Sequence, residues 1–180
     1  MEFDTFFTQL FEESKYLFEK SKESQEPQEK NIYLHSSLLL AMSSLEACIN
    51  AIIEELLIEP YDKKYSLLEQ SVLLEKDIVF RDGIHKLGNS LKISRLIDKI
   101  ELLFAKLNNN PLESSETWVI QLKQSIDVRN KLVHPKATLS LSEKQVEIAI
   151  HSVLETINEL YKLVYKRNFP SYLLGLASKL

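Results

Sequence analysis

The residue types suited to chemistry in this 180-residue sequence gather in one stretch, Asp127-Val128-Arg129-Asn130-Lys131-Leu132-Val133-His134-Pro135-Lys136. On a helix, Asn130 and His134 are four apart and share a face, and Arg129 lies ~100° around from Asn130. Pro135 disfavours helical geometry for the residue before it, so His134 should leave the helix and its ring can turn outward. An arginine keeps its proton and grips a phosphate through paired hydrogen bonds. A histidine titrates close to neutral pH, which suits a general acid or base. Together they form a minimal set for cleaving RNA without a metal, the 2′-hydroxyl attacking the neighbouring phosphate. A plainer reading also fits the spacing: the Arg-Asn pair binds helix carbonyls and the histidine caps the helix end.

These residues need a frame, and the sequence supplies helices. An amphipathic first segment, residues 1–26, carries Phe6, Phe7, Leu10, Phe11, Leu17 and Phe18 at helical spacing. After a polar turn at Ser24 to Lys30, a long helix from about Glu29 to Ile58 presents Leu34, Leu38, Met42, Leu45, Ile49, Ile52 and Leu56 as one apolar face, and Glu59-Pro60 stops it. Lys64 to Lys76 reads as a helix, Phe80 to Gly88 as a loop, and Ser90 to Leu107 as a further helix. The segment bearing Arg129 begins near Glu113–Thr117, with Val128, Leu132 and Val133 expected to anchor its end in the core. Ser142 and Gln145 fit a capping box at the start of the next helix. The expected architecture is all-α: a single domain over 1–180, an antiparallel up-and-down bundle of about five main helices. It comprises the N-terminal helix, a core bundle over 29–166 and an apolar C-terminal tail over 168–180.

Composition narrows the function classes. The chain is 44% hydrophobic and 27% charged, as globular domains are, and three glycines leave no room for a phosphate-cradling glycine loop. The single cysteine, Cys48, excludes an internal disulfide, and its apolar neighbours suit a core residue better than a nucleophile. His35 and His85 have no ligand-spaced partner and His151 lies on a solvated pattern between Glu147 and Glu155, so no metal or other cofactor is expected. Neither a signal peptide nor a membrane span is legible, since polar residues interrupt Leu38 to Ile58, and a cytoplasmic location is expected. A formal net charge of −4 argues against coating nucleic acid but allows a small basic pocket.

Arg129-Asn130-x-x-x-His134 resembles the arginine–x4–histidine signature of the HEPN superfamily (higher eukaryotes and prokaryotes nucleotide-binding). Asn130 is the form associated with catalytic members. The Val133-His134-Pro135 ending and the segment Ser43-Ser44-Leu45-Glu46-Ala47-Cys48-Ile49-Asn50 are similar to that family as well. The resemblance covers roughly residues 30 to 165, its specific part being the six-residue signature. It implies a homodimer in which two signature helices face each other, so that Arg129 and His134 of both chains line one composite cleft. Many relatives are toxins paired with a nucleotidyltransferase-like antitoxin, or parts of antiviral systems; others keep the fold as a module for dimerisation or partner binding.

Two further positions follow from charge burial. Glu46 and Asn50 are four apart on the long helix amid apolar residues, and a carboxylate there needs a partner. Arg129 is the expected one, with Glu46 orienting it; the alternative is a solvated stripe shared with Ser43 and Glu54. Lys123, Lys131 and Lys136 make the signature helix locally basic, which suits RNA, and a solvated face explains them equally well. The reading that results is a metal-independent endoribonuclease, a toxin or defence component leaving a 2′,3′-cyclic phosphate. Here Arg129, Asn130 and His134 are catalytic, Glu46 and Asn50 supporting, and Lys131 and Lys136 RNA-binding. The alternative is a non-catalytic HEPN-type module.

Overall fold

The computed structural model describes residues 2–58, 64–136 and 138–180, with side chains from residue 6 onward. The elements run α1 (Glu2–Glu23), α2 (Pro27–Leu56), α3 (Leu67–Leu74), β1 (Lys76–Arg81), β2 (Ile84–Leu91), α4 (Leu96–Asn108), α5 (Thr117–Val133) and α6 (Glu143–Tyr165). A short 3₁₀ turn follows at Tyr172–Leu174. The fold is mostly α, as the periodicity predicts. The expected stop at Glu59-Pro60 lies outside the described residues.

The chain divides into two compact units, residues 1–48 with 113–180, and residues 49–112. In the first, α1 and α2 run antiparallel, joined by the short turn between Glu23 and Pro27, and serine hydroxyls of each helix bond to backbone carbonyls of the other. Ser14 Oγ donates to the Ser37 carbonyl at 2.9 Å and Ser37 Oγ returns a bond to the Ser14 carbonyl at 2.8 Å, while Ser44 Oγ reaches the Phe7 carbonyl at 2.7 Å. Leu34, Leu38, Met42 and Leu45 of α2 are buried at the spacing that one helix face requires. By length and composition α2 could cross a bilayer, yet most of that stretch is buried inside the protein, so its apolar face is spent on the core. α6 supplies the largest share of the remaining core, with Val146, Ala149, Ile150, Val153, Leu154, Ile157, Leu160 and Tyr161 buried. Its start is the expected capping box: Ser142 Oγ accepts from the Gln145 amide at 3.3 Å and Gln145 Oε1 accepts from the Ser142 amide at 2.9 Å.

The C-terminal segment folds back on α1. Phe169 is fully buried and meets the rings of Phe7, Phe11 and Tyr161 at centroid distances of 6.0, 6.0 and 5.1 Å. Beyond it, the buried Lys15 ammonium donates to the Ala177 carbonyl at 2.7 Å and pairs with Glu12 Oε1 at 2.9 Å. Glu12 Oε2 accepts from the Lys179 amide at 2.9 Å. Glu19 accepts from both the amide and the hydroxyl of Ser178, at 2.8 and 2.7 Å. The tail thus caps its own bundle. The Ser178 amide, more than any other group, holds the Glu19 carboxyl below its ordinary value of 4.5. A carboxyl depressed in the folded state stabilises at neutral pH, and that contribution disappears as pH falls below 4.5 through the folded value. The Ser178 amide NMR signal is therefore expected to shift on acidification, and to stop doing so in Glu19→Gln.

The second unit differs from expectation. Residues 76–91, read partly as loop and partly as helix ends, form an antiparallel hairpin, with Phe80 opposite His85 and Arg81 opposite Ile84. The turn is Asp82-Gly83, both at positive φ (56° and 79°), the backbone that a two-residue hairpin turn needs and that Asp-Gly supplies. α4 accordingly begins at Leu96 rather than near Ser90. α3 spans eight residues and opens on a second capping box, Ser66 with Glu69. Ile100, Leu103 and Phe104 of α4 are buried, as are Ile49, Ile52 and Ile53 at the end of α2.

Candidate active site

α5 is positioned by its first half. Val119, Leu122 and Ser125 are its buried residues, spaced three apart along one face. Past Ser125 no residue of α5 is buried. The expectation that Val128, Leu132 and Val133 anchor the end in the core is corrected: Val128 and Leu132 are half-buried and Val133 is 45% exposed. Local spacing puts these residues on a helix face, but only a neighbouring element can cover it. The end of α5 therefore stands open.

Arg129, in the last turns of this open end, is held from both sides. Its Nη2 donates to Glu46 Oε1 at 2.5 Å and its Nη1 donates to Asn130 Oδ1 at 3.2 Å. These bonds use two of the five N–H groups that a guanidinium carries. Glu46 thus contacts Arg129, and it also shares the open stripe of the alternative reading, with Ser43, Asn50 and Glu54 exposed. With side-chain exposures of 29% and 39%, the pair is solvated enough that its net stabilisation is small, about 0–1 kcal/mol. Its effect is directional: it fixes the plane of the guanidinium.

His134 is the C-cap of α5, at φ −122° and ψ 66°, so the chain leaves the helix there, as Pro135 dictates. Its amide still donates to the Asn130 carbonyl at 2.9 Å, which ties the histidine backbone to the residue that binds Arg129. The residue is exposed, as are Asn130, Lys131, Pro135 and Lys136. Lys131, in the last turn, also faces the negative end of the helix dipole.

Asn50 is engaged elsewhere. It belongs to the second unit, where its Oδ1 accepts from Lys99 Nζ at 3.4 Å, and Lys99 meets Glu75 Oε2 at 3.3 Å. Four residues of spacing on α2 put Glu46 and Asn50 on one face, but their partners come from different parts of the chain. His151 is exposed, its Nε2 3.8 Å from Glu155 Oε1. Among the described residues no three His, Cys, Asp or Glu side chains come together in the way a metal ion requires. Cys48 is buried in the core.

The mostly helical fold and the arginine–x4–histidine end of α5 agree with the HEPN resemblance of the sequence. The chain belongs to the RiboL-PSP-HEPN family, whose model matches residues 7–166 and so takes in Glu46, Arg129, Asn130 and His134. The match also includes most of α1, which extends the region of likeness beyond residues 30 to 165. No curated protein and no solved structure matches the chain. Membership indicates a nuclease-type or RNA-related function, and HEPN domains commonly dimerise.

Proposed function

We propose that this protein is an endoribonuclease acting on cytoplasmic RNA, with its site completed by a second copy of the chain. The observation that carries the proposal is the arrangement at the open end of α5: a guanidinium braced by Glu46 and Asn130, next to a histidine that the helix end turns out to solvent. In this reading His134 takes the proton from a ribose 2′-hydroxyl, and the 2′-oxygen attacks the adjacent phosphorus. The bond to the 5′-oxygen breaks and that oxygen receives a proton, from the same residue of the second copy. The products are a 2′,3′-cyclic phosphate and a 5′-hydroxyl. Arg129 stabilises the charge that builds on the non-bridging oxygens, and Asn130 sets the distance of the guanidinium. Lys131 and Lys136 attract the flanking phosphates. The ribose itself supplies the nucleophile, so these steps need no metal-activated water.

The half-exposed Val133 beside the site supports the two-copy reading, since apolar surface next to a charged site is what an interface covers. Such a protein suits a toxin or a defence component, controlled by a partner such as a nucleotidyltransferase-like antitoxin. The test is cleavage of RNA in EDTA by the native chain and by a folded His134→Ala variant, together with its dependence on protein concentration. Cleavage that needs His134 and falls on dilution in step with dimer dissociation is the expected result. Failure of the native chain to cut varied RNAs leaves a non-catalytic HEPN module as the answer.

Glu46 acts on the reaction only through Arg129, which makes it a positioning residue. Glu46→Ala is expected to lower kcat by about 10–100-fold, as loss of alignment does. KM should change less, and stability by no more than about 1 kcal/mol. Glu46→Gln keeps an acceptor for Arg129 and should recover much of the rate. Single-turnover kinetics beside a urea melt would separate this from a merely structural role, which would lower stability and leave kcat alone.

A further inference from the structure

The segment that follows α6 is held in two different ways. Phe169 is locked by burial among three rings. Residues 177–179 bury little: Ala177 and Lys179 are exposed and Ser178 is half-buried. They are held through their main chain instead. Lys15 donates to the Ala177 carbonyl at 2.7 Å, Glu19 accepts from the Ser178 amide at 2.8 Å, and Glu12 accepts from the Lys179 amide at 2.9 Å. Of their side chains, the Ser178 hydroxyl joins in, donating to Glu19 at 2.7 Å. Between the two kinds of attachment stands Gly175, at φ 54° and ψ −127°, a backbone conformation that any side chain would strain.

Glu12, Lys15 and Glu19 are three and four residues apart, so they share one face of α1. Together they present two carboxylates and one ammonium to three consecutive peptide units. An extended polypeptide offers the matching groups wherever it runs, since each residue carries one N–H and one C=O. A phosphate backbone has no N–H to give, and two carboxylates repel it. Because the main chain is what is bound, the face accepts many sequences and favours a small hydroxyl residue at the centre. The bonds that hold residues 177–179 are ones that water replaces, and little apolar area is buried with them. Such a stretch opens locally while the core stays folded. Lys15 is fully buried and Glu12 is 4% exposed against it, a charged pair that opening uncovers. We infer that this face of α1 is a docking rail for an extended peptide, filled at rest by residues 176–180. When that strap lifts about Gly175, the rail takes a serine- or threonine-centred segment of a partner protein. The inference does not depend on the ribonuclease reading.

The strap is opened in the full chain by Ser178→Pro together with Lys179→Pro, since proline has no N–H for Glu19 or Glu12 to accept. Both positions lie outside the helices, and circular dichroism checks that the variant folds as the native chain does. The probe is a fluorescein-labelled Leu-Ala-Ser-Lys-Leu peptide, the sequence of residues 176–180, blocked at both ends so that no terminal charge takes part. The opened chain is expected to bind it at least about tenfold more tightly than the native chain, whose rail is occupied. Adding Glu19→Gln to the opened chain should weaken binding about tenfold, the effect of losing one hydrogen bond to a charged group. The peptide with proline in place of its serine should lose binding by at least the same factor. Hydrogen exchange gives a second reading on the native chain. The Ser178 and Lys179 amides should exchange with little dependence on urea, through local opening, and the Phe169 amide with the steep dependence of global unfolding. Three results overturn the inference: an opened chain that does not bind the peptide, binding that Glu19→Gln leaves unchanged, or strap amides that exchange only when Phe169 does. So does a native chain that binds the peptide as tightly as the opened one, which places the contact elsewhere.

Discussion

His134→Ala is expected to slow RNA cleavage by about 10²–10⁴-fold, the range that general acid–base groups contribute. The variant is a clean one, because His134 is exposed and its amide, which caps the helix by bonding to Asn130, survives the substitution. Stability should stay within about 0.5 kcal/mol of the parent, as for surface changes in general. Arg129→Ala should cost a comparable factor, and Arg129→Lys should recover little of it, since an ammonium lacks the planar fork that binds Glu46 and a phosphate together. The measurement is single-turnover cleavage of end-labelled RNA in EDTA, with the product end group identified. A cyclic phosphate that disappears in His134→Ala is the expected outcome; a rate unchanged by the substitution would sink the mechanism.

Phe169→Ala is expected to lower stability by about 3–5 kcal/mol, as truncation of a buried phenylalanine does. The residue lies outside every regular helix, yet it is fully buried, and its ring meets those of Phe7, Phe11 and Tyr161. Its amide also donates to Asn158 Oδ1 at 3.0 Å, which fixes the turn after α6. The lost ring therefore leaves a cavity among three other aromatics held by two helices, Phe7 and Phe11 on α1 and Tyr161 on α6, so little collapse can fill it. For a chain of this length the melting midpoint should fall by roughly 6–20 °C. Differential scanning calorimetry tests this directly, and a shift of less than a few degrees would mean that the C-terminal segment is not part of the cooperative core.

Periodicity made most of the helices legible. Leu34, Leu38, Met42, Leu45, Ile49 and Ile52 lie on one buried face of α2, and Ser142 with Gln145 marks the start of α6. The site was legible to the extent that it is local: Pro135 takes His134 out of the helix, and Asn130 lies next to Arg129. Glu46 was accessible by a different argument, that a carboxylate among apolar residues needs a cation. The hairpin is hard to read because neither strand alternates: Ile78, Val79 and Phe80 are consecutive, and Ile84, Leu87 and Leu91 stand at helical spacing, although Asp82-Gly83 carries the turn signal. Ile93 fits the apolar spacing of α4 and lengthened the predicted helix, but it is exposed and lies ahead of Leu96. The partner of Asn50 and the exposure of Val133 depend on residues far along the chain, and no local pattern reports them.

The division of the chain into units has a consequence for synthesis. Residues 49–112 form an unbroken stretch, so they leave the ribosome together and can fold as they emerge. The other unit is built from the stretches on either side, and α1 and the first half of α2 must wait for α5 and α6. Glu46 and Arg129, 83 residues apart, belong to the early and the late stretch. At about 5–20 residues per second, several seconds separate the translation of the brace from that of the arginine it holds. A growing chain therefore carries no assembled arginine site before α5 has been made, which in the ribonuclease reading delays the activity until then.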